Sequence, residues 1–196
     1  MLEDHAEEAE GIRQRLGSRV AGIRNRKQLP ERVRLQLMAK AHQAAATEMG
    51  SLQSRVGSET DNAAIRLRRQ AFGTPDGDTM AMRDAQQRAS QLTSPREAAA
   101  ALRAAELQGD EGMAQAIASA AFDHATGLGL LGRPWSEVVD SYSAQRPKAA
   151  EAVDSLAQMS SGRPAVDFTF VVPKPSELSR LQPWQLNALA DPDDAA

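Results

Sequence analysis

The chain has no cysteine. That excludes disulfides, thiolate metal sites and cysteine nucleophiles at once. Aromatic residues make up only 4% of it, and tyrosine occurs once, so few large side chains are available to fill a core. Leu, Ile, Val and Phe together reach only about 18%, near the range where a chain struggles to bury a core. No apolar run approaches the roughly 18 to 20 residues that span a bilayer, and the acidic start is unlike a secretory signal. No sign of charge dominates either: the net charge is −3, unlike strongly charged disordered chains.

Alanine is what the chain has instead, at about 18%. Alanine favours helix strongly and buries little surface per residue. The composition therefore predicts an all-α protein of thinly packed helices, better suited to meeting partners than to enclosing a catalytic pocket. Arginine outnumbers lysine by 19 to 4.

Residues 1–72 are expected to form a helical arm resembling a coiled coil, either as a hairpin or as one rod. Leu2, Ala9, Leu16 and Ile23 recur every seven residues, with Ala6, Ile12 and Val20 between them. This is a narrow apolar seam, weakened at Ala9. Pro30 and Glu31 suit the start of a second helix. Its apolar stripe is Val33, Leu37, Ala41, Ala45, Met49, Leu52 and Val56, with an interruption expected at Gly57-Ser58. Charge is segregated: Glu3, Asp4, Glu7, Glu8 and Glu10 precede Arg13, Arg15, Arg19, Arg24, Arg26, Arg32 and Arg34. Acids at a helix start and bases at its end complement the helix dipole. The same arginines are also candidates for a nucleic-acid face, although no aromatic residue interleaves with them for stacking.

Gly73 to Gly77 reads as a loop, and residues 78–159 as a helical core. Asp78 is a candidate cap for a short helix carrying Met80, Met82, Ala85, Ala89 and Leu92. Four more helices follow. Ser94-Pro95-Arg96-Glu97 fits a capping box with proline in the first turn. Gly109 stops that helix and Asp110 caps the next. Pro134 and Pro147 open the last two.

Residues 160–196 read as an extended tail. Val166, Phe168, Phe170 and Val172 alternate with Asp167, Thr169 and Val171, which predicts a strand over 165–172. A lone strand needs a partner for its backbone. It adds to a neighbouring subunit or lies on the chain's own helices. Trp184, with Leu186 and Leu189, is a candidate anchor into a pocket.

Catalytic signatures are missing. His5, His42 and His124 stand at no metal-ligand spacing, and no serine sits in a nucleophile elbow. The expectation is a protein that is not an enzyme, with no catalytic, metal or cofactor residues and no cofactor.

One resemblance adds to this reading. Leu102, Ala105, Glu106, Leu107, Gly109 and Asp110 are followed by Ala114, Ala116 and Ile117. Then come Trp135, Val138, Val139 and Tyr142, and finally Pro147, Ala150, Ala152 and Leu156. Over 102–158 this resembles a family of helical proteins from the head and head–tail genes of actinobacterial tailed phages and prophages. The chain departs from that pattern by an insertion, Gly127 to Arg133. The resemblance implies a virion structural protein, made in the bacterial cytoplasm and built into the particle beside capsid, portal or connector subunits, within a symmetric oligomer and away from membrane. The alternatives are an assembly scaffold absent from the mature particle, and a nucleic-acid-binding helical protein.

Overall fold

Helix propensity and capping chemistry, with few strand formers, give a fold that is all-helical among the described residues. The computed structural model describes residues 2–73, 79–127, 129–161 and 169–191. Its helices are α1 (Leu2–Arg24), α2 (Glu31–Phe72), α3 (Thr79–Ser90), α4 (Pro95–Gln108), α5 (Glu111–Gly127), α6 (Arg133–Ser143), α7 (Pro147–Ser161) and α8 (Pro183–Ala190). Short 3-10 turns occupy Gly129–Gly132 and Ser176–Leu178. The chain forms two compact units, Met1–Thr60 with Pro164–Ala196, and Asp61–Arg163. This grouping differs from the three expected segments, 1–72, 78–159 and 160–196. The tail belongs with the hairpin, and the division falls inside α2 rather than at Gly73.

In the first unit α1 and α2 form an antiparallel hairpin. The register is set by cross-helix pairs: Glu8 with Arg55, Arg15 with Glu48, and His5 with Glu59. The seam holds Ala9, Ile12, Leu16, Val20 and Ile23 against Met38, Ala41, Ala45, Met49, Leu52 and Val56, all buried. Ala9 is fully buried. Its small side chain lets the helices approach, so it belongs to the seam rather than weakening it. The expected break at Gly57-Ser58 is absent, and α2 runs through it. The Ser58 hydroxyl donates to the Ser54 carbonyl and Thr60 to Val56, so the polar side chains bond within the helix and do not cap a new one.

The tail completes this unit. Phe170, Leu178, Leu186 and Ala190 are buried in the same core as the hairpin seam. The buried surface of α2 departs from its expected stripe near the start of the helix: Met38 and Ala39 are buried, Leu37 is partly buried and Val33 is exposed. The strand expected over 165–172 is not formed across its described part, 169–172; the remainder, with Val166 and Phe168, lies outside the described residues. The reason is a competition for acceptors. Arg13 donates to the carbonyls of Thr169 and Val171. Pro173 and Pro175 bring no N–H for a ladder.

The second unit is arranged round α5. Ala114, Ile117, Ala118 and Ala121 are fully buried, and α3, α4 and α6 pack against this helix. The four expected helices over 94–159 are α4 to α7, and the same core also takes Ala71 and Phe72 from the end of α2 and Ala89 from α3. Capping follows the expected chemistry at α4. Ser94 Oγ accepts from the Glu97 N–H. Gly109, at φ 70°, turns the chain so that Asp110 N–H reaches the Ala105 carbonyl and Gly109 N–H that of Glu106. Asp110 then accepts from Met113 N–H ahead of α5. The proposed cap Asp78 lies outside the described residues. Trp135 is buried and stacks on the His124 ring with centroids 4.3 Å apart. Tyr142 is buried beside Phe72; its hydroxyl donates to the Ala71 carbonyl at 3.3 Å, and Arg146 lies over its ring. Arg146 also pairs with Glu106 and Glu111.

Candidate functional site

Three features of the surface could meet another molecule: the tail on its hairpin, the hairpin turn, and a cleft in the second unit. The tail is held by polar contacts round an apolar centre. Arg24 Nε donates to Glu177 at 2.6 Å and Nη2 reaches its other oxygen at 2.9 Å and the Ser176 hydroxyl at 3.3 Å. Gln43 donates to Asn187 at 2.9 Å. The hydrogen bond from Arg24 holds the Glu177 carboxyl at about 2, well below the carboxylate range, with its own N–H and Ser176 adding to the effect. Burial pushes His42 below its ordinary value of 6.5; the bond to Val172 opposes this, and the Lys174 charge adds to it. His42 Nε2 is buried without a hydrogen-bond partner.

The candidate partner-binding residues therefore divide. Phe170 and Leu186 are buried in the chain's own hairpin, and Val172 and Leu189 are partly buried there. They are spent in cis. Trp184 is 69% exposed, in the first turn of a helix whose other apolar side chains face inward. Among the described residues it fills no pocket.

The candidate nucleic-acid residues divide as well. Arg13, Arg15 and Arg24 are committed, to the tail backbone, to Glu48 and to Glu177. Arg34 is half-buried with its Nε enclosed and unpartnered. Arg19, Arg26 and Arg32 are exposed and take part in no ion pair among the described residues.

Sequence reading missed the cleft. It measures about 450 Å³ and is lined by the end of α2, α3 and α5, with Ile65, Phe72, Met82, Ala116 and Ala120 beside Gln86, Gln115, Ser90 and Ser119. Its charged groups are Arg68, Arg69 and Asp123, and Arg68 is bound to Asp123. Hydroxyls are present, but no histidine lines the cleft to serve as a base for them. Among the described residues no cluster of three or more His, Asp or Glu side chains is placed to hold a metal ion, and no helix is long and apolar enough to cross a membrane. No linear signal marks the cleft, because its walls come from helices far apart in sequence.

The chain matches no family model, no curated protein and no solved structure.

Proposed function

We propose that this protein is a non-enzymatic structural subunit of a phage particle, at the head or head–tail junction. It binds neighbouring subunits through helix surfaces and through Trp184. The observation that carries the reading is Trp184 itself. A large aromatic side chain 69% exposed, on a helix pinned to the body by Leu186 and Ala190, has the character of an interface anchor awaiting its pocket. The described part of the tail is here a mount for that anchor. The resemblance over 102–158 adds the particle context. Most of the residues that carry it, Leu102, Ile117, Trp135, Val138, Tyr142 and Leu156 among them, lie in one buried core.

The test is mass spectrometry of purified particles from an infection in which the gene is supplied in trans. The wild-type chain is expected in mature particles in stoichiometric amount, and Trp184→Ala is expected to be incorporated at least ten-fold less while remaining folded. A chain present during assembly and absent from finished particles would instead mark a scaffold. Full incorporation of the variant would remove Trp184 from the account.

A further inference from the structure

Folding concentrates charge that the sequence only orders. Between residues 19 and 40, α1, the connecting turn and the start of α2 carry Arg19, Arg24, Arg26, Lys27, Arg32, Arg34 and Lys40 against a single carboxylate, Glu31. The antiparallel hairpin brings these two segments to one end and sends the acids of α1, with Glu48 and Glu59, toward the other. A chain with a net charge of −3 thus has one strongly basic end on this unit. The helix dipole explains why bases end α1, but not why they begin α2, where carboxylates would be favoured.

Register shows which cations are available. One edge of the hairpin carries Glu8 with Arg55, then Arg15 with Glu48. Continuing that spacing toward the turn sets Arg19 opposite Ala44, with Lys40 a helical turn further on, and neither takes part in an ion pair among the described residues. Arg26, Lys27 and Arg32 follow, all exposed and outside any ion pair among the described residues. Arg24 is neutralised by Glu177. Five cations therefore stand ready at one end of a rigid pair of helices.

We propose that the turn of the hairpin, through Arg19, Arg26, Lys27, Arg32 and Lys40, is a docking surface for the phosphate backbone of duplex nucleic acid. Arginine's planar fork suits phosphate oxygens. Between residues 19 and 40 there is no aromatic side chain for stacking on unpaired bases. Val33 is the one exposed large apolar residue in that stretch, which leaves no wedge of the kind that holds an interfacial helix in lipid. The contact is electrostatic and independent of sequence. It stands apart from the phage reading, since it requires no particle.

The experiment is fluorescence anisotropy with a labelled duplex of random sequence and the full chain, at several salt concentrations. Engaging four phosphates predicts a fall in affinity of about 100-fold between 50 and 200 mM salt. The variant Arg19→Ala, Arg26→Ala, Lys27→Ala, Arg32→Ala should lose most of the low-salt affinity and flatten that slope. A control removing four cations from the second unit (Arg66→Ala, Arg69→Ala, Arg103→Ala, Arg133→Ala) should change little. All the substituted positions are exposed, and circular dichroism confirms that each variant is folded. No binding at low salt, equal loss in the control, tighter binding to single strands, or binding to anionic phosphatidylserine vesicles but not to duplex would each overturn the proposal.

Discussion

Single side chains set the firmest expectations. Leu178 is fully buried between tail and hairpin. Leu178→Ala should cost about 2–5 kcal/mol, as large-to-small changes do in packed cores. Urea unfolding followed by circular dichroism measures it. Trp184 gives the contrast: with its side chain largely in water, Trp184→Ala should shift stability by no more than about 0.5 kcal/mol. Gly132 is a third case. A Cβ there would run into the backbone carbonyl of Ala125, so the 3-10 turn sits directly on α5. Gly132→Ala should destabilise the protein by about 1–3 kcal/mol through overpacking. At that position the turn is close enough to α5 that a side chain has no room.

At the scale of elements, sequence and structure agree where signals are local. Ser94, Gly109 and Asp110 announced their caps because capping is chemistry between residues three to five apart. Most of the α1 seam was legible, Ala9, Ile12, Leu16, Val20 and Ile23 being buried at one helical period, but the expected Ala6 is exposed. The tail was not legible. Alternation from Val166 to Val172 carries the strand period, yet the carbonyls of Thr169 and Val171 are bound by Arg13. Nothing in the linear pattern says that a side chain so far away in sequence claims those acceptors. Ala39, which is not part of the expected stripe, is fully buried. Of the candidate site, Trp184 was legible as an unusual residue but its exposure was not, and the placement of Phe170 on the chain's own helices was one of the two alternatives that the alternating pattern left open.

The tail's attachment should also depend on pH. His42 is held below 6.5 in the folded state, so its contribution is complete above that value and fades as pH falls through the folded pKa. Glu177, lowered from 4.5 to about 2, contributes fully above 4.5 and loses this between 4.5 and about 2. The protection of tail amides against deuterium exchange, corrected for the intrinsic rate at each pH, should therefore fall in two acid steps. His42→Gln should remove the first, and Glu177→Gln should remove the second while weakening the tail at neutral pH.

For the whole molecule, the two units should answer opposite extremes of pH. Acid acts on the hairpin and tail through His42 and Glu177. Alkali acts on the helical core, where burial raises Tyr142 above 10.0 against the opposing charge of Arg146. Its contribution is complete below that value and is lost as pH climbs above it. Tyr142→Phe should blunt the alkaline loss and leave the acid steps unchanged, which paired thermal melts across pH would show. A composition poor in large apolar residues supports this size of protein through two alanine-rich cores, each centred on helices that approach closely.

The central claim is that the tail folds back on its own hairpin and so carries Trp184 outward. A chain without cysteine allows a clean measurement. Gln43→Cys and Asn187→Cys replace a pair of side chains in direct contact, and a short bifunctional maleimide then joins them. A tail folded on its own hairpin should give a crosslinked monomer that migrates faster than the uncrosslinked chain, in high yield even at low protein concentration. A crosslinked dimer, or no crosslink, would contradict it.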